Sequence, residues 1–467
     1  MTADHQSHLT AASARQTNGK TVQVSSALAP LVPRLGRLGH GDEMYLDPLG
    51  LLQRAQQRCG DIARLQIGPL IGHVLIRPDY VQHVLHVRQQ NYRRSDTQPE
   101  HVQTMLGKGM LTANDDSWRH QRRRAQPLFR PKRLLDYTPM MYACAGDLIE
   151  RWQDAAGRGL TLDLHREMIG VALRISSLAF FGVDMGDDAD ELVHLSEAFH
   201  GVGPQRKPTR LSPTLSPPLP LDLSRKRLEQ LICHVVDRRH PGDADDSDLL
   251  GVIIKDYGGA EKAKDAKGFH DEAITLLMAS HETTASALSF AFMLLTRHPD
   301  VLEELRAESS EMIADQGCTD GSGSQSYARK VVQETLRLFP PAWMIDRVCL
   351  EDDEIDGYLI PKDSLAILVP YLSHRDPTFW PDPTRFEPRR FDPEPVAKRP
   401  RHAFIPFGTG PRVCIGASFA LSAATILLTS LAARFDLTLA DDGPITFTAN
   451  FTLRPAGPLP MTLRSLT

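Results

Sequence analysis

The stretch "FIPFGTGPRVCIGASFA", Phe404 to Ala420, sets one cysteine among glycines and prolines, with one arginine, just ahead of an apolar run. Gly408, Gly410 and Gly416 permit tight turns and a close approach of backbone to a flat or bulky ligand. The apolar spacing of "ASFALSAATILLTSLAARF" predicts a helix after Gly416, which puts Cys414 just before a helix N-terminus. There, unpaired backbone N–H groups and the helix dipole favour a thiolate over a thiol. A thiolate in that setting is a metal ligand or a nucleophile, and a buried structural cysteine is the alternative for a lone residue of this type.

The rest of the chain frames that loop. Its 467 residues are 41% hydrophobic and 24% charged, the balance of a folded globular protein. That length allows two or three average domains or one large mixed one. A net charge of -5 gives no reason to expect nucleic acid as a partner. The six cysteines (Cys59, Cys144, Cys233, Cys318, Cys349, Cys414) lie far apart without a CxxC pair, which disfavours a zinc site or a disulfide framework and fits a reducing cytosol. The first forty residues lack an apolar core long enough for a signal peptide. The richest apolar runs, "ALSFAFMLL" and "AATILLTSLAA", fall short of the roughly 18 to 20 residues that a membrane span needs. Residues 1–40 are therefore expected as a flexible tail and 41–467 as a single domain of a soluble, cytoplasmic protein.

Local patterns give a mixed, mainly α class. "DPLGLLQRAQQRCGD" has helical spacing, whereas "IARLQIG" and "GHVLIR" alternate as short strands. From Ser117 to about Pro340 the signals are nearly all helical, broken by the Pro-rich "VGPQRKPTRLSPTLSPPLPLDL" (Val202 to Leu223) and the polar "DRRHPGDADDSD". An irregular loop of the first kind is more often a lid or binding loop than a linker. After Pro340, short strands around "DGYLIPKDSLAILVP" lead into a segment dense in Pro and aromatics, then the cysteine loop and a last apolar helix.

Four segments converge on one resemblance. Phe407, Gly410, Arg412, Cys414 and Gly416 spell F-x-x-G-x-R-x-C-x-G, similar to the haem-ligating loop of the cytochrome P-450 superfamily, in which the cysteine thiolate is the axial ligand of iron. "ETLRLFP" puts Glu334 and Arg337 at i and i+3 on one helix face, where they can pair. With the later "FEPRRF" it resembles the family's E-x-x-R and P-E-R-F elements, whose core network maps onto Glu334, Arg337 and Arg390. Arg389 stands where the family commonly has Glu.

"LLMASHETTASAL" (Leu276 to Leu288) resembles the A-G-x-E-T-T oxygen-binding helix, with Ala279, Glu282 and Thr283 in place and Ser280 where glycine is usual. A zinc H-E-x-x-H motif is excluded there because position 285 is alanine. "SWRHQRRRAQPLF" places Trp118 and Arg122 one turn apart and resembles the W-x-x-x-R helix that meets a haem propionate. By the same resemblance Arg347 and Arg412 meet propionates, because guanidinium forks suit carboxylates.

That resemblance, spanning roughly Trp118 to Ala420, implies the cytochrome P-450 fold: a large helical body with small β-sheets and haem b between the oxygen-binding helix and the cysteine-loop helix. It implies a haem-dependent monooxygenase that inserts one atom of O2 into substrate, with Cys414 as iron ligand, Phe407, Trp118, Arg122, Arg347 and Arg412 around the haem, and Thr283 with Glu282 delivering protons. By family position the pocket includes Met105, Met110, Leu111, Ala279, Ala342, Trp343, Met344 and Ile345, mostly apolar and suited to a lipophilic terpenoid, polyketide or fatty-acid-like substrate.

The chain has no Gly-rich nucleotide loop and no spare length for a flavin domain. Electrons are thus expected from ferredoxin and ferredoxin reductase, ultimately NAD(P)H, delivered to a monomer. Arg119, Arg122, Arg123, Arg124, Arg130, Arg389, Arg390, Lys398, Arg399 and Arg401 are the cations expected to meet an acidic ferredoxin. A haem-thiolate isomerase or peroxygenase, and a non-catalytic haem-binding protein, are the alternatives; Glu282 and Thr283 weigh against the first.

Overall fold

The computed structural model describes residues 11–17, 20–34, 39–95, 100–200, 220–239, 248–314, 326–440 and 443–466. Contacts divide the chain into two units: Met1–Ser95, Met344–Asp376 and Pro400–Arg412 in the first, and Asp96–Trp343, Pro377–Arg399 and Val413–Thr467 in the second.

In the first unit a five-stranded sheet has the order Ile62–Ile67, Leu70–Leu75, Leu365–Leu368, Ile345–Cys349, Tyr92–Arg93. The two alternating stretches near the N-terminus pair as an antiparallel hairpin, Ile62 opposite Leu75. Leu365–Leu368 runs parallel to the second of them and antiparallel to Ile345–Cys349. The period of two turns Leu75, Ala366 and Leu368 into one buried cluster with Val81, Val84, Leu85 and Ile405.

Part of the segment 1–40 lies among the described residues. Ala11–Thr17 and Lys20–Leu28 form an antiparallel pair, Ala27 and Leu28 run parallel beside Tyr358 and Leu359, and Ala29 and Val32 are buried. Backbone pairing to a sheet edge needs little apolar content, so composition did not announce it.

The second unit is mainly helical. Its axis is the helix Lys267–Leu295, called here the long helix, which packs on Leu164–Phe181, on Tyr327–Leu338 and on Ala417–Ala432. A helix apolar nearly all round must be covered on all sides. Small strands border it: Phe435–Leu439, Pro460–Ser465 and Thr161–Asp163 make one sheet, and Phe447–Ala449 pairs with Leu453–Pro455 in a hairpin. The Pro-rich stretch lies outside the described residues up to 219, and a helix, Leu221–Asp237, begins in its last residues. Among the described residues no helix is long and apolar enough to cross a membrane.

Candidate functional site

Cys414 stands two residues ahead of Gly416, the N-cap of the helix Ala417–Ala432. Its side chain is exposed, whereas Cys144 and Cys349 are buried. Surrounding protein still desolvates the sulfur and pushes the thiol pKa up, while the Gly416 backbone N–H and the Arg122 charge pull it down. The helix start and Arg122 thus act on the sulfur in the direction that the sequence suggests, against the desolvation by the surrounding protein. Cys349 is a structural residue by contrast. Its S–H donates to the Glu351 carbonyl at 2.8 Å, and burial pushes its pKa up to about 11.

Arg122 and Trp118, both half-buried, lie on the helix Asp115–Ala125. Desolvation lowers the Arg122 pKa and attraction to Cys414 raises it, so the arginine lies near enough to the sulfur for the two to interact electrostatically.

On the long helix every residue from Asp271 to Leu295 is buried except Leu276, Ala279, Ser280 and Thr283. The spacing i, i+3, i+4, i+7 is one helical stripe. A single accessible face, with the small Ala279 at its centre, on an otherwise enclosed helix is the surface a flat group needs, and with the accessible sulfur it fits haem. The helix stays regular through the motif. Instead of a bulge, hydroxyls bond back along it: Ser280 Oγ donates to the Leu277 carbonyl at 3.1 Å and Thr283 Oγ1 to that of Ala279 at 3.3 Å. His281 is buried, with Nδ1 2.6 Å from the Leu277 carbonyl. Glu282 is buried as well, and its Oε1 accepts from the Thr452 hydroxyl at 2.8 Å.

The E-x-x-R pair is fully enclosed. Arg337 donates from Nε and Nη2 to the two carboxylate oxygens of Glu334, both at 2.7 Å. Its remaining donors reach the carbonyls of Pro383 (2.7 Å) and Arg385 (3.0 Å). Glu334 also accepts the Glu387 backbone N–H at 2.9 Å, and Arg390 Nε lies 3.4 Å from the same oxygen. Burial pushes the Glu334 pKa up and Arg337 pulls it back. Two buried ions with their donors and acceptors satisfied fix the geometry of the segment Pro383–Arg390 against this helix.

The pocket residues separate. Met105 and Trp343 are core residues, Met110 and Leu111 are half-buried, and Ala279 and Ala342 are exposed. Met344 and Ile345, half-buried, fall in the first unit, as do half-exposed Phe407 and Arg412. There Arg347 is buried, donates to the Asp346 carbonyl at 2.6 Å, and is pushed down to about 10 by desolvation and the charge of Arg94. Gly410 has φ 75° and passes against the Leu85 carbonyl, with which a Cβ would collide.

Several of the expected docking cations are committed elsewhere. Arg124 pairs with Asp256 and Glu272, Arg390 with Glu334, and Arg399 stacks 3.9 Å over the Trp380 ring. Arg119, Arg389 and Lys398 pair at the surface with Asp116, Glu304 and Glu394. No local pattern marks Thr452, nor Asp271 and Arg225, which join the long helix to the helix Leu221–Asp237 through a 2.7 Å ion pair; each contact spans distant parts of the chain and has no local spacing to reveal it.

Residues 29–459 match the family model described as Cytochrome P450. The chain is 33% identical over 416 residues to cyclooctatin synthase of Streptomyces melanosporofaciens, covering 85% of this chain and 87% of that protein. It is 27% identical over 417 residues to pentalenene oxygenase of Streptomyces avermitilis, covering 87% and 91%. In fold it is similar to the retinoic acid-bound cyanobacterial CYP120A1, with a TM-score of 0.78 at 23% identity over 95% of this chain and 100% of that one. The cysteine loop, the buried E-x-x-R pair and the long helix with its one open face are thus set in a matching fold and a matching sequence: the chain belongs to the cytochrome P450 family and is a haem-thiolate monooxygenase.

Proposed function

We propose that Cys414 is the iron ligand and that the substrate is a lipophilic terpenoid. The observation that carries the reading is the accessible stripe Leu276, Ala279, Ser280, Thr283 on an otherwise buried helix, in the same unit as the accessible sulfur. Haem held by that thiolate supplies reductive activation of O2 and transfer of one oxygen atom to substrate.

The chain supplies binding and protons. Trp118 and Arg122 hold a propionate from the helix beside the cysteine; for Arg347 and Arg412 the family resemblance is the support. Thr283 has its own proton engaged with the Ala279 carbonyl, so its lone pairs remain to accept a hydrogen bond from a water on the open face. Glu282, one residue earlier, is the proton source for that water. Its burial keeps the carboxyl out of bulk solvent, where proton transfer can be gated.

Support for the substrate class comes from the apolar accessible side chains Met110, Leu111, Ala279 and Ala342 and from the relatives' names, a pentalenene oxygenase and a cyclooctatin synthase. Support for an acidic ferredoxin comes from Arg123 and Arg130, exposed and without a carboxylate partner among the described residues.

The test is the carbon monoxide difference spectrum of the dithionite-reduced protein. Wild type is expected to give the strongly red-shifted Soret band of thiolate-ligated haem, and Cys414→Ala to lose it. An unchanged band in that variant would reassign the ligand. Pentalenene and related terpenes would then be screened for the spin-state shift that accompanies entry into the pocket; a response confined to fatty acids would overturn the substrate class.

A further inference from the structure

The turn between the strands Phe447–Ala449 and Leu453–Pro455 reaches three separate elements within four residues. The Asn450 carbonyl accepts the Trp343 indole N–H at 2.9 Å. The Phe451 ring lies 4.7 Å, centroid to centroid and edge-on, from Phe199 of the helix Ala189–His200. Thr452 donates its hydroxyl to Glu282 Oε1 at 2.8 Å with both side chains buried. The Leu453 N–H closes the turn on the Pro341 carbonyl at 2.9 Å. All these residues belong to the second unit.

A carboxylate has several rotamers and two oxygens, and one fixed donor selects among them. In a buried setting the low dielectric strengthens such a bond. The turn that supplies the donor is itself fastened to Trp343 and Phe199, so it has little freedom to follow Glu282 if the side chain swings. From this geometry we infer that Thr452 is a positioning residue for proton delivery: its hydroxyl sets the place of the Glu282 carboxyl beside Thr283, and the turn Asn450–Leu453 ties that place to Trp343 and Phe199. The inference rests on the reading of Glu282 as the proton source.

Two readouts separate this role from a merely structural one, and neither needs a known substrate. The first is turnover with O2 alone, driven by NADH through a purified ferredoxin and its reductase. Two electrons and two protons convert O2 to hydrogen peroxide; four of each convert it to two waters, which requires the O–O bond to split with protons supplied in time. Peroxide formed per NADH therefore reports proton delivery. Thr452→Val keeps the shape and removes the donor, and the water-forming share is expected to fall on the order of tenfold. Thr452→Ser keeps the donor and should stay near wild type.

In a Glu282→Gln background Thr452→Val should add nothing further, because the two act through one group. The second readout is the infrared carboxyl band of Glu282 in the resting protein, assigned by its loss in Glu282→Gln. It is expected to move in Thr452→Val and to stay in Thr452→Ser. If Thr452→Val fails to bind haem, Thr452→Ala carries the same comparison.

Equal losses in the Ser and Val variants, additive losses with Glu282→Gln, or an unmoved infrared band would each overturn the positioning role while leaving the acid role standing. A water-forming share that Glu282→Gln leaves intact, or a wild type that forms peroxide only, would overturn the acid role and this inference with it.

Discussion

His73 lies opposite Arg64 in the antiparallel pair of strands Ile62–Ile67 and Leu70–Leu75, fully buried. Burial pushes its pKa down to about 4, the Arg64 charge adds to that, and the Leu365 backbone opposes it. A histidine lowered in the folded state stays neutral where the unfolded chain takes up a proton. Its contribution is complete above the ordinary value near 6.5 and is lost as pH falls from there through about 4, roughly 3 kcal/mol in all. Urea unfolding of the holoprotein at pH 7, 6, 5 and 4 should show that slope, and His73→Leu should flatten it by close to one proton; an unaltered slope in the variant would remove His73 as its source. At this scale the sequence was legible where chemistry restricts residue type at fixed spacing, as in the cysteine loop and the E-x-x-R pair. It was silent on His73, because a histidine within "GHVLIR" does not disclose a buried, arginine-flanked position. It was equally silent on Thr452, whose partner is 170 positions away.

Among elements, the stretch after the helix Glu100–Leu106 shows how the segment that carries the proposed pocket residues is held. Arg225 donates to the Met105 carbonyl at 2.8 Å and to Asp271 at 2.7 Å. The other oxygen of Asp271 accepts the Lys108 backbone N–H at 2.8 Å, and Gln121 of the tryptophan helix donates to the Lys108 carbonyl at 3.0 Å. Gly107 has φ 53°, and a Cβ there would collide with the Asp271 carboxylate. Met110 and Leu111 follow directly, so the long helix fixes the segment that carries these two half-buried apolar residues. Arg225→Met strands the Asp271 charge in the interior and is expected to cost about 3–5 kcal/mol, read by thermal unfolding of the holoprotein. The paired change Arg225→Met with Asp271→Leu should recover most of it, and no recovery would mean that the ion pair is not the source of the loss. Helices and strands were readable from period, whereas this docking was not: glycines at 107 and 109 in "GKG" look like an ordinary loop until the carboxylate beside them is seen.

For the molecule as a whole, 53 basic residues against 58 acidic ones leave a mean field that repels an acidic ferredoxin. Productive docking then depends on local cations strong enough to reverse that sign at short range. Counting basic residues in the sequence overstated the patch, since Arg124, Arg390 and Arg399 are drawn inward and Arg119, Arg389 and Lys398 have carboxylate partners. Of the expected docking cations in the second unit, Arg123 and Arg130 are left exposed without a carboxylate partner among the described residues. Reversing either, Arg123→Glu or Arg130→Glu, is expected to slow low-salt reduction by an acidic ferredoxin on the order of tenfold. Lys398→Glu should matter less, because Glu394 already neutralises Lys398. The defect should shrink with added salt, since the screening length drops from about 10 Å at 0.1 M to about 3 Å at 1 M. Stopped-flow reduction under carbon monoxide across that range measures both effects. A wild-type rate that does not fall with salt would place electron entry away from these arginines, even with the haem site intact.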